Sequence, residues 1–365
     1  MSRQHLFVDV SSHGFGHLAQ VAPVLNALAA RLPTLRLTVR SGLPTERLRA
    51  RLLADFTHIA AASDFGYRMH DALCVDLPAT AAAYRTLHAD WPARVAAEAA
   101  FLSARDADLV LSDVAYLPLA AAAQAGIPSV AMSSLNWADL LAHFFPGEAW
   151  LAPIHRQMLA AYNSAECFLR LTPGMPMADL LRRQVVGPVA AQGRDCRAAV
   201  RAQLACPPNE RLVLIAFGGF SKRLPMETWP SIPGVRWLVH ETWQLAQANA
   251  TAFETLGYAF PDLLRAVDAV LTKPGYGTFA EAACNGAPVL YVRRHDWPEQ
   301  DCLIDWLSVH GRCHVISDTA LVAGDLATAL DALWQQPAPL APAPVGATEA
   351  AAVLLRWLTT ESRNV

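Results

Sequence analysis

Short apolar stretches alternate with longer helical patterns twice along this chain, and this rhythm restricts its fold more than any other feature. Leu6–Val10, Leu35–Val39, Leu109–Leu111, Ser129–Met132 and Cys167–Leu171 read as strands, the first followed by a helical pattern ending near Leu32. The rhythm then restarts with Leu212–Ala216, Val235–Val239, Ala269–Leu271, Val289–Val292 and His314–Ile316. Strands separated by helices predict a parallel sheet with helices on both faces. Between the two series, "TPGMPM" and "GP" break the pattern near residues 175–190. We therefore expect an α/β chain of two domains, residues 1–180 and 181–345. The proline stretch "PAPLAPAPV" then leads into a last helix within residues 346–365.

The bulk numbers agree. A chain of 365 residues is long for a single core. Apolar residues make up 53% and charged residues 17%, which suits buried sheets and argues against disorder. Net charge is −3 with no run of Lys or Arg, so neither nucleic acid nor an anionic membrane surface is an expected partner. No uninterrupted apolar stretch reaches the roughly 18 residues of a spanning helix. The opening "MSRQHLFVDV" has too short an apolar run for a signal peptide, so a cytoplasmic location is expected. Seven cysteines, scattered and without a CxxC, read as reduced thiols rather than a zinc ribbon or disulfide framework.

The first motif is "VDVSSHGFGHLAQ" (8–20). Gly14-x-Gly16-x-x-Ala19 has the outline of a dinucleotide fingerprint, but a Rossmann dinucleotide site also needs an acid at the end of the second strand. That strand ends in Val39-Arg40-Ser41, which suits only a 2′-phosphate and keeps an NADP-dependent oxidoreductase as a remote alternative. The other reading uses His13 and His17. Glycines let the chain turn sharply, and an imidazole in that turn can take a proton from a hydroxyl at neutral pH. Asp113, ending "DLVLSD", can orient it from the same sheet edge. A solvated histidine and a helix-capping aspartate are the plain alternatives. Histidines at i and i+4 also suggest a metal, but no third ligand is evident.

The second motif is "DAVLTKPGYGTFAEAACNGAPVLYVRRHDWPEQD" (268–301). A strand runs into a glycine turn that opens a helix, and such an N-terminus attracts anions. Glu281 follows about one turn later, placed to accept hydrogen bonds from a ribose or simply to complement the helix dipole. The next strand delivers Arg293, Glu299 and Gln300 toward the same edge.

Together, "KPGYGTFAEAACNGAPVLYV" and the following "EQD" resemble the donor-binding segment of GT-B glycosyltransferases. The likeness is to the lipid II-forming N-acetylglucosaminyltransferase and the UDP-glycosyltransferases. "SHGFGHLAQVAPVLNALAARL" resembles the N-terminal segment of the same superfamily, and most closely the glycosyltransferase-like module of L-arabinokinases and its bacterial relatives. "LIAFGGF" matches the start of the second domain. The resemblance implies two Rossmann-like domains facing a central cleft, the acceptor on the first and the nucleotide-sugar on the second, with the last helix crossing back to the first.

It also implies site residues. His17 takes the catalytic-base position, with Asp113 orienting it; the choice between His13 and His17 stays open. Gly218 and Gly219, with Ser221 and Lys222 in reach, match the turn facing the donor diphosphate. Gly275, Gly277 and Thr278 match the diphosphate loop, and Glu281 the ribose carboxylate. Glu299 and Gln300 match the sugar-hydroxyl pair. Gly16 belongs to the first glycine turn, and Phe260 lies in "GYAFPD", where the nucleotide base packs. The implied reaction is inverting, metal-independent transfer from a nucleotide diphosphate sugar, a UDP-sugar, with no cofactor. The acceptor is a small molecule or a lipid-linked one, without stable membrane insertion. A UDP-sugar 2-epimerase or hydrolase and a non-catalytic nucleotide-sugar-binding module remain alternatives. Asp106-x-Asp108 mimics the metal motif of the other glycosyltransferase fold but reads as surface. The aromatic stretch 133–150 is a candidate acceptor wall, or ordinary core.

Overall fold

The computed structural model describes residues 4–218 and 223–359. They form two compact units. One holds the described residues up to His70, Val75–Val189 and the described residues from Val345. The other holds Asp71–Cys74 and Ala190–Pro344.

In the first unit the elements run β1 His5–Val10, α1 Phe15–Arg31, β2 Arg36–Ser41, α2 Thr45–Arg49, β3 Thr57–Ala60, α3 Leu77–His88 and α4 Trp91–Ser103. They continue with β4 Leu109–Asp113, α5 Leu117–Ala125, β5 Ser129–Ser133, α6 Trp137–Phe144, α7 Leu151–Ser164, β6 Cys167–Leu171 and β7 Arg183–Val186. The sheet order is β3-β2-β1-β4-β5-β6-β7, and every pairing is parallel. Central strands covered on both faces have no solvent side, so β1 and β4 are buried at every position. The order reverses at β1 and β4, where Val10 lies level with Asp113. Open α/β sheets bind ligands outside the carboxyl ends of the strands at such a switch point.

The second unit contains α8 Arg197–Gln203, β8 Arg211–Ile215, β9 Val235–Val239, β10 Ala250–Ala252, α9 Phe260–Ala266 and β11 Ala269–Thr272. Then follow α10 Tyr276–Asn285, β12 Val289–Val292, α11 Glu299–His310, β13 Cys313–Ile316, α12 Asp318–Ala323 and α13 Ala327–Gln335. The parallel sheet has the order β10-β9-β8-β11-β12-β13, so its switch point lies between β8 and β11. Leu73 belongs to this unit's apolar core, and its carbonyl accepts from the His295 amide at 3.1 Å. The same joint ends helices in both units. Gly126 and Gly286 adopt φ of 69° and 74° after α5 and α10, a left-handed cap that glycine enters without strain, and a strand follows each.

The described chain ends in α14, Gly346–Leu358, which buries Ala350, Ala351, Val353, Leu354 and Leu358 and packs against α1. It enters through a close backbone crossing, since a Cβ on Gly346 would lie 2.0 Å from the Gly187 carbonyl oxygen. The division falls after Val189 rather than at 180, because β7 adds to the edge of the first sheet. No described helix is long and apolar enough to cross a membrane.

Candidate active site

In the first unit, β1 delivers the chain into Ser11–Gly14 and α1 begins at Phe15, so His17 falls in the first turn of α1. Asp113 is the last residue of β4 and has no exposed surface. His17 Nδ1 lies 3.3 Å and 3.1 Å from the two oxygens of Asp113. Burial pushes the Asp113 carboxyl above its usual range, and His17 draws it back down. A proton on Nδ1 satisfies the carboxylate and makes Nε2 the basic nitrogen of the ring. Val114 follows with φ of 61°, a left-handed conformation that a β-branched residue adopts only under constraint. Its carbonyl accepts from the Tyr162 hydroxyl at 2.5 Å, and that hydroxyl accepts from the Trp137 amide at 3.1 Å.

His13 is held differently. Its Nδ1 accepts the Tyr67 amide at 3.3 Å, which puts the ring proton on Nε2 and makes that atom a donor. Gly66, at φ of 58°, closes over this ring, and a Cβ there would lie 2.6 Å from His13 Cγ. Gly16 sits within the first turn of α1. Arg40, the residue an NADP reading needs, is buried between Asp9 and Glu98, each contacted at 2.5 Å, so both carboxylates already hold it. Asp108 accepts the His5 amide at 2.8 Å, a structural bond at the start of β1. Among the described residues, no group of three or more His, Cys, Asp or Glu is placed to hold a metal. All seven cysteines are free thiols.

The aromatic stretch after β5 lies mostly inward. Leu135, Trp137, Leu140, Leu141 and Phe145 are buried, so most of its apolar positions serve the core of this unit. Phe144 remains partly exposed and contacts Tyr67, with ring centroids 5.4 Å apart.

In the second unit, β8 ends in a turn at Gly218, with φ of 77°. Gly219, Ser221 and Lys222 lie outside the described residues. β11 ends at Thr272, whose hydroxyl donates to the Ala216 carbonyl at 2.5 Å and ties the two turns of the switch point together. Gly275 caps α10 without any side-chain hydrogen bond, and Gly277, Thr278 and Glu281 follow within two turns. Glu281 is 1% exposed. Phe260 is half-buried in the first turn of α9.

Two cations that sequence reasoning passed over are nearby. Lys273 Nζ lies 3.7 Å from where a Cβ on Gly275 would sit, so its ammonium reaches the start of α10. Burial, and then repulsion from Arg294, depress its pKa to about 7, with Glu299 opposing. Arg294 is buried, and its guanidinium lies over the Trp297 ring at 3.6 Å. Burial lowers its pKa to about 10. Gln300 braces the Arg294 backbone, accepting from its amide at 2.9 Å and donating to its carbonyl at 3.1 Å. Glu299 is buried and accepts from Trp297 Nε1 at 3.2 Å. Arg293 is instead exposed and paired with Asp301.

No family model matches this chain. It is 28% identical over 320 residues to an L-arabinokinase of Arabidopsis thaliana, covering 82% of this chain. It spans only 29% of that relative's length. Solved structures match across the whole chain. The spinosyn forosaminyltransferase SpnP superposes with a TM-score of 0.60 at 15% identity, covering 98% of this chain and 95% of that one. The glycotransferase of kitacinnamycin gives 0.59 at 16%, again covering 98% and 95%. The glycosyltransferase VinC, solved in complex with DTDP, gives 0.55 at 17%, covering 97% and 95%. The chain therefore has the GT-B glycosyltransferase fold, built from two parallel-sheet α/β domains.

Proposed function

We propose that this protein is an inverting glycosyltransferase that moves a sugar from a nucleotide diphosphate sugar, a UDP-sugar, to an acceptor hydroxyl. The observation that carries this reading is the contact of His17 Nδ1 with Asp113 at the β1/β4 switch point. In this mechanism His17 Nε2 takes the proton of the acceptor hydroxyl. The acceptor oxygen forms its bond to the anomeric carbon as the bond from that carbon to the diphosphate oxygen breaks, with the electron pair leaving on the diphosphate. Attack from the face opposite the leaving group inverts configuration. Asp113 stabilises the imidazolium.

The donor is held by the second unit. Backbone amides at the start of α10, with Lys273 and Arg294, meet the diphosphate charge. Arg293, exposed and paired with Asp301, is left out of this role. These cations supply the positive charge that a divalent ion supplies elsewhere, so the reading needs no metal. Glu281 accepts from the ribose, and Phe260 packs near the nucleotide base. Gln300 acts as a brace for the Arg294 backbone more than as a sugar ligand, since both ends of its amide are engaged. The free thiols suit a reducing compartment, and we assign the protein to the cytoplasm. The kinase activity in the relative's name is not carried over, because the chain spans so little of that protein.

A thermal-shift screen over nucleoside diphosphates identifies the donor base, and diphosphate release on addition of candidate acceptors then measures transfer. His17→Ala is expected to lower turnover by about 10²–10⁴-fold while keeping the nucleotide-induced shift. Full turnover in that variant would remove His17 as base. Diphosphate release that needs no acceptor would favour an epimerase or hydrolase.

A further inference from the structure

Residues 63–67, between β3 and α3, lie against the histidine turn. Ser63 Oγ donates to Asp9 at 2.5 Å. Ser11 Oγ lies 3.0 Å from both oxygens of Asp64, and Trp137 Nε1 donates to Asp64 Oδ2 at 2.8 Å. The Tyr84 hydroxyl holds the Gly66 carbonyl at 3.0 Å, and the Tyr67 hydroxyl holds the Trp137 carbonyl at 3.3 Å. The Trp137 ring so fixed stands edge-on to both histidines, its centroid 5.3 Å from His13 and 5.7 Å from His17.

We propose that Asp64 is a positioning residue for His17: it locks Trp137 against the imidazole and sets a second negative charge, beside that of Asp113, facing it. This rests on the reading of His17 as the base. Two donors converge on one half-buried carboxylate, the Ser11 hydroxyl from the turn before His17, shared between both oxygens, and Trp137 Nε1 from the helix beside it, which is more than a loop anchor needs. The electrostatics agree. Burial raises the Asp64 pKa to about 6 and the charge of Asp9 adds to this, while Trp137, His17 and Ser11 pull it down. Such coupling is mutual, so an ionised Asp64 favours protonated His17 and makes it a stronger base. The other groups facing this centre are accounted for. Asp9 is paired with Arg40, which also holds Glu98. Tyr84, Tyr116 and Tyr162 feel the Asp64 charge, and burial keeps all three phenols far above their usual range. His13 presents a neutral donor, as its bond from Tyr67 requires.

The test is an NMR titration of the His17 ring in the full chain, which needs no substrate and so stands apart from the transferase reading. Asp64→Asn is nearly isosteric and removes the charge. It is expected to lower the His17 midpoint by at least about half a unit, roughly a threefold fall in proton affinity. Asp64→Glu, which keeps the charge, is expected to restore most of it. Trp137→Phe keeps the ring but deletes the bond to Asp64. It should shift the same midpoint, and the double variant should shift it by less than the sum of the two. An unchanged midpoint in Asp64→Asn with native melting, or in Trp137→Phe if the first variant does not fold, overturns the proposal. If the midpoints shift but no donor supports transfer, the transferase reading fails and this one stands.

Discussion

Lys273 is the residue whose behaviour most directly reports an anion. Its folded pKa of about 7 lies below the ordinary 10.5, because its ammonium is buried and faces Arg294. The unfolded chain keeps that proton up to about pH 10.5 while the fold releases it near 7, so this group alone makes stability rise with pH across that window. A bound diphosphate reverses the preference by favouring the charged form. Nucleoside diphosphate affinity should therefore be greatest below pH 7 and fall above it, by at most tenfold per unit. Calorimetry from pH 6 to 9 checks this, and Lys273→Met should bind more weakly with a flatter profile. A wild-type profile without that fall would remove Lys273 from the anion site. This lysine was present in the quoted motif, yet its role was illegible, because burial rather than residue type gives it meaning. The Arg293-Arg294 pair shows the same limit: a strand end sends one arginine out and one in, and only the turn held by Gln300 decides which.

At the scale of elements, α10 joins the glycine cap, the core residue Phe279 and Glu281 in one short helix. Its dipole favours anions at the start, and Glu281 lies far enough along to serve a neutral hydroxyl instead. Glu281→Ala should cost about 1.5–3 kcal/mol of nucleotide binding, roughly ten- to a hundredfold, in an isothermal titration. Unchanged affinity would reduce Glu281 to a buried helix acid. This element was readable because glycine punctuation, helical spacing and a flanking apolar strand coincide in twenty residues. β3, β7 and β10 were not read. They are edge strands of 4, 4 and 3 residues, mostly half-buried or exposed, so they lack the apolar runs that mark the central strands. Asp64 was missed for a related reason, since it lies in a loop whose order comes from partners 53 and 73 residues away in sequence.

At the scale of the molecule, the chain leaves its first unit, builds the second, and returns to the first as α14. The proline stretch before that helix marked a break, but proline content cannot say which core the following helix joins. Its inward residues do, because Leu354 is fully buried and the helix packs on α1, the helix that carries His17. Leu354→Ala removes buried methyl groups at a cost of about 2–5 kcal/mol. At roughly 2–4 °C per kcal/mol for units of this size, the first unit should melt about 4–20 °C lower. A nucleoside diphosphate held by the second unit stabilises only that unit. Calorimetric scanning of wild type and Leu354→Ala, with and without UDP, should therefore separate two transitions: one lowered by the substitution, the other raised by the nucleotide. If the substitution lowers the transition that UDP raises, either α14 stabilises the other unit or the nucleotide site lies in the first.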